Sequence, residues 1–223
     1  MVLLSGEPGI GKSRLTAALL ERLADEAHTR LRYFCSAQYT NSALHPVIGQ
    51  MERAAGFAHD DTPKAKLDKL DALLARTSTS IADAALFADM LSLPDDGRYP
   101  APPVIPQQRR EATLQALIRQ IETLARSAPV LMIFEDVHWG DPTSLEVLGR
   151  AVSRVAAHRA LLIVTFRPEF EPPWIGQPHV TAVALDRLTR AEIHAMVDQI
   201  AGSRPLPASP PRHRGARRRH SPV

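Results

Sequence analysis

VLLSGEPGIGKSRLTAALLERL, residues 2–23, is the stretch whose reading decides the fold. It opens on a short apolar run at residues 2–5 and turns through a glycine-rich loop. Beyond the loop, Leu15, Ala18, Leu19 and Leu23 recur at helical spacing. The pattern predicts strand, loop and then a helix over residues 12–25, with that apolar row facing the core.

Residues 6–13, GEPGIGKS, fit G-x-x-x-x-G-K-[ST] in the strand-to-helix setting that gives the pattern its mechanism. Glycines at 6, 9 and 11 let the backbone turn so that successive N–H groups point at phosphate oxygens. The positive end of the following helix adds to the attraction. The cofactor-binding set is Gly6, Glu7, Pro8, Gly9, Ile10, Gly11, Lys12, Ser13 and Arg14. Lys12 is expected to reach the β- and γ-phosphates of ATP, and the Ser13 hydroxyl to ligate Mg²⁺. A plain glycine turn beside an exposed lysine is the structural alternative.

A phosphate cradle also needs a held metal and a held water before it hydrolyses anything. VLMIFEDVHW at residues 130–139 supplies two carboxylates at the end of a continuous apolar run, the signature of a strand buried on both faces. Ligands bind at that edge of doubly wound sheets. Glu135 is therefore read as a Mg²⁺ ligand, direct or through water, and Asp136 as the group that polarises the attacking water; the alternative is that the pair only closes a strand. A second buried run, LLIVTF at residues 161–166, leads to Arg167, which is placed to contact the γ-phosphate or else is an exposed loop arginine before Pro168.

Between these motifs the chain alternates strand and helix patterns, the mark of a mostly parallel sheet with crossovers. Residues 31–35 read as a strand and residues 43–92 as a helical insert. Residues 94–106 hold five prolines and read as a loop. An amphipathic helix over residues 107–127 carries Leu114, Leu117, Ile118, Ile121 and Leu124 on its buried face. Asp141 and Pro142 mark another helix start, and Thr189 with Glu192 has capping-box spacing before a last helix that reaches residue 201. The expected fold is α/β, a P-loop three-layer sandwich over residues 1–201.

The 223 residues carry a net charge of +3, but six of the 27 basic side chains are arginines within residues 202–223, which hold no acid. The preceding 201 residues therefore have 21 basic against 24 acidic groups. That balance gives no general attraction to nucleic acid. The Pro/Arg-rich tail reads as disordered. No apolar run is long enough for a membrane span. The single cysteine, Cys35, suits a reducing cytoplasm and reads as a small buried hydrophobe.

Taken together, GEPGIGKSRL, FEDVHWGDPTSLEVLGR and TFRPEF resemble the AAA-related STAND signal-transduction ATPases. The similarity is greatest to modules that follow class III adenylate/guanylate cyclase domains in bacterial signalling proteins, with similar modules in LuxR-type regulators. CSAQYTNSALHPVIGQMERAAGF, residues 35–57, has the character of the cyclase-associated group. The resemblance implies Walker A at residues 6–13, Walker B acids at Glu135 and Asp136, and a sensor arginine at Arg167. Glu135 stands where many such ATPases have Asp, which implies indirect metal contact and slow turnover. His138 and Trp139 are read as packing or switch residues, and Asp141 chiefly as a helix cap. The implied partners are ATP, Mg²⁺, attached cyclase or regulator domains and a nucleotide-dependent oligomer. A lid would follow the core in that family, so the basic tail is read as the mark of a fragment or of a frame shift near residue 210. A non-catalytic nucleotide-binding scaffold and, less well matched by EDVHW, a small-molecule kinase stand as alternative functions.

Overall fold

The computed structural model describes residues 1–94, 96–100 and 105–201. In chain order the elements are β1 (Val2–Gly6), α1 (Lys12–Arg22), β2 (Thr29–Phe34), α2 (His45–Ala55), α3 (Pro63–Ala75), α4 (Ile81–Met90), α5 (Pro106–Ser127), β3 (Val130–Glu135), α6 (Pro142–Val155), β4 (Ala160–Phe166), β5 (Thr181–Leu185) and α7 (Arg190–Ala201). The five strands form one sheet in the order β2-β3-β4-β1-β5, and every neighbouring pair is parallel. Parallel pairing follows from the connections, because each crossover needs a helix on a sheet face.

Alternation along the central strands splits the core in two. Leu131, Ile133 and Ile163 face α1 and pack with Leu20. Val130, Met132, Phe134, Leu162 and Val164 face the opposite way, into a larger core filled from α2, α3, α4, α5 and α6. The helices of residues 43–92 thus share their buried side chains with the sheet.

Two helices have starts that the sequence makes legible. Thr62 caps α3 by accepting from the Ala65 N–H at 3.2 Å, and Asp141 caps α6 by accepting from the N–H groups of Thr143 (3.1 Å) and Ser144 (2.9 Å). Proline follows each cap at the first helical position, where its missing N–H costs nothing.

Four local expectations are corrected. The first helix ends at Arg22 rather than residue 25, with the Leu23 N–H turned back onto the Leu19 carbonyl and the Ala24 N–H onto that of Glu21. Its most buried row is Lys12, Thr16 and Leu20; of the expected row Leu19 and Leu23 pack against the same core, whereas Leu15 is 51% exposed. The cause is Lys12: once its side chain turns into the glycine loop, the residues four and eight positions later must follow it inward. Finally, β5 has no counterpart among the expected strands, and α5 begins one residue early, at Pro106. Prolines 102 and 103 of the expected loop, and the tail over residues 202–223, lie outside the described residues.

Residues Met1–Asp186 make one compact unit, and α7 belongs to a second that starts at Arg187. At the start of α7 the Thr189 N–H donates to Glu192 at 2.7 Å while the Glu192 N–H donates to the Thr189 hydroxyl at 3.3 Å, the reciprocal pair of a capping box. Among the described residues no helix is long and apolar enough to cross a membrane.

Candidate functional site

The carboxyl ends of β1, β3 and β4 share one edge of the sheet, where Ser5 is level with Phe166. The loop after β1 turns through Gly9 (φ 77°) and Gly11 (φ 108°), both left-handed conformations in which a side chain is strained. Gly6 is required for a different reason. A Cβ there meets the Ile10 side chain at 2.8 Å, with Leu185 of β5 close behind. The Ile10 N–H closes the turn onto the Glu7 carbonyl at 3.2 Å.

Lys12 is buried, and its ammonium donates to the carbonyls of Gly6 (2.6 Å) and Glu7 (3.1 Å), so it lies along the loop whose amides surround it. Ser13 and Arg14 are exposed on the first turn of α1, with Arg14 held by an open ion pair to Glu21 at 3.0 Å.

Two more candidates meet this loop. A cavity of about 300 Å³ is lined by Pro8, Gly9, Gly11, Lys12, Ser13, Arg14, Asp136 and Arg167. Asp136 reaches it through a left-handed backbone (φ 54°), and its N–H donates to the buried Thr165 hydroxyl at 3.0 Å. Arg167 lies over the Trp139 ring, 5.6 Å from its centroid, a cation–π contact that keeps the guanidinium at the cavity wall.

Glu135 is placed differently. It is 5% exposed and does not line this cavity; its carboxylate accepts from the Arg32 guanidinium of β2. Strand register puts Phe34 opposite Glu135, so their neighbour Arg32 is within reach. Arg32 is the functional-site residue that sequence reasoning passed over, whereas Thr165 is legible as the polar end of the β4 run. Arg32 had a weaker signal, the charged positions of the alternating TRLRYF strand.

Behind the cavity, both ring nitrogens of His138 are buried without partners among the described residues, and burial holds its pKa below the ordinary value although Asp136 pulls the other way. The ring is therefore neutral at pH 7 and packs 5.1 Å from Trp139. Cys35 is buried, and its thiol is pushed up to about 12, first by burial and then by the charges of Asp141 and Asp136. Asp141 accepts a third hydrogen bond, from the Leu44 N–H at 3.1 Å, which ties the start of α2 to the segment after β3.

The donors fit a hard cation that arrives with its own phosphate ligands. Among the described residues there is no cluster of three or more His, Cys, Asp or Glu able to cage a metal. Mg²⁺ needs none, since it takes one or two protein oxygens plus waters and phosphates.

Comparison with known proteins agrees with the fold. An uncharacterized protein of Rhizobium meliloti (strain 1021) is 33% identical over 195 residues, which cover 86% of this chain and 18% of that protein. The chain thus spans under a fifth of that relative's length. Residues 1–164, the glycine loop through most of β4, match the model of the AAA ATPase domain, and the chain belongs to that family.

Proposed function

We propose that this domain binds ATP with Mg²⁺ at the cavity after β1 and hydrolyses it slowly, as the switch module of a larger signalling protein. The observation that carries this reading is the convergence of Lys12, Ser13, Asp136 and Arg167 on one cavity at the N-terminus of α1. Anions are held there by oriented amides and the helix dipole. Lys12 leaves its two carbonyls to meet the β- and γ-phosphates. Ser13, and Glu135 directly or through water, would hold Mg²⁺, which supplies neutralisation of phosphate charge. Asp136 orients the attacking water by accepting its proton, and Arg167 meets charge on the γ-phosphate.

Slow turnover follows from Glu135. With its carboxylate on Arg32, it contacts the metal through water unless that ion pair opens. The same pair favours the second reading, a nucleotide-binding scaffold without useful turnover. The module role rests on the chain matching 18% of a much longer relative, and on the likeness of its motifs to cyclase-associated and regulator-associated ATPases.

Calorimetry with a non-hydrolysable ATP analogue tests the site. Lys12→Ala should weaken binding at least a hundredfold, and unchanged affinity would sink the assignment. Phosphate release then separates the two readings, since turnover lost in Asp136→Asn supports the enzyme and binding without any turnover supports the scaffold.

A further inference from the structure

A second cavity, also of about 300 Å³, opens at the other end of β2, between that strand and helices α2, α3 and α5. Its floor is apolar, built from Leu31, Met51, Leu117 and Ile121 among others. Its charged groups are one-sided, for no Asp or Glu lines it. Arg30 and Arg76 do, and among the described residues neither guanidinium has an ion pair or hydrogen bond. Other arginines of the body are engaged, among them Arg32, Arg98, Arg119 and Arg150.

Tyr33 adds a third donor. Its ring is 4% exposed and lines the cavity, its hydroxyl has no partner among the described residues, and burial keeps the phenol protonated. The hydroxyl is not sealed from solvent, so it is open to an acceptor in the cavity. Apolar floor, two free guanidiniums and a free phenol describe one ligand class, a small organic acid with an apolar body. The volume is at the lower end of small-molecule sites.

The walls of this cavity lead to the nucleotide edge by two routes. The Tyr33 ring stacks on Phe134 at 4.1 Å, and Phe134 precedes Glu135 and Asp136. Met51 belongs to α2, whose first turn is tied through Leu44 to Asp141.

We propose that the cavity beneath α2 is a binding site for a small amphiphilic organic acid, and that its occupancy is felt at the nucleotide cavity. The second half rests on the nucleotide reading above, whereas the first stands without it. Octanoate and octanol are suitable probes, titrated by calorimetry into the full chain. Octanoate should bind saturably, one per chain. The double change Arg30→Ser with Arg76→Ser, at two exposed positions, should weaken it at least tenfold and leave octanol unaffected. Ala54→Trp, at the exposed rim, should block both. Absent saturation, or wild-type octanoate affinity in both variants, overturns the site. Lys12→Ala should bind octanoate as the wild type does, so failure of the nucleotide site shows separately. Saturating octanoate should shift the affinity of a fluorescent ATP analogue at least twofold, and an unchanged value overturns the coupling.

Discussion

Single residues at the sheet edge do more than one task, and Asp141 is the clearest case. One of its carboxylate oxygens accepts from Thr143, Ser144 and, 97 positions away, Leu44, while the side chain is almost wholly buried. Losing an N-cap costs about 1 kcal/mol, and stranding a buried amide about 1–3 kcal/mol. Asp141→Ala should therefore cost about 2–4 kcal/mol in urea unfolding, with Asp141→Asn recovering most of it; a loss below about 1 kcal/mol would mean that the carboxylate does not tie α2 to α6. The capping role was legible because Asp-Pro before an apolar period is a local signal. The bond to Leu44 was not, since nothing nearby in sequence marks a residue 97 positions away. Likewise the positive φ of Gly9 and Gly11 lies within an eight-residue pattern, whereas the Arg32–Glu135 pair exists only once β2 is registered against β3.

Helices α5 and α6 are joined on their outer surface by a charged clamp. Arg150 of α6 donates to Glu111 of α5 at 2.7 and 2.8 Å and to Glu146 at 2.6 Å, and Arg110 of α5 reaches Glu146 at 2.5 Å. The hydrogen bonds from Arg150 come first in holding the Glu111 carboxyl at about 2, against an ordinary 4.5. Because the folded value is the lower one, this stabilisation is present above about pH 4.5 and is lost as pH falls from there toward 2. Glu111→Gln should flatten that part of the acid-unfolding curve, and half-molar salt should shrink the difference because the pair is open to solvent. Parallel stability curves for the two proteins would argue against the clamp. Period located α5 and its buried row, and the Asp141–Pro142 start signal located α6. In α1 period found Leu19 and Leu23 on the core side but not the deeper row set by Lys12, and it missed β5, whose five residues are mostly exposed and whose partner β1 lies about 180 positions earlier.

Over the whole molecule, binding at one edge should stabilise everything the sheet carries, since α1, β1, β3 and β4 all reach the cavity. A ligand at a hundred times its Kd adds about 2.7 kcal/mol, and in a body of this size that raises Tm by roughly 5–10 °C. Mg²⁺-ATP should do so in a concentration-dependent way and fail in Lys12→Ala; a Tm indifferent to nucleotide would contradict the proposed site. Alternating strand and helix patterns were enough to read an α/β sheet, but not its order, which depends on partners far apart in the chain. That order has a consequence in time. β1 lies between β4 and β5, paired through Val2 with Ile163 on one side and Thr181 on the other. At synthesis rates of about 5–20 residues per second, the first strand waits roughly ten to thirty seconds for either neighbour to be made. The glycine loop is thus made well before either strand that seats it.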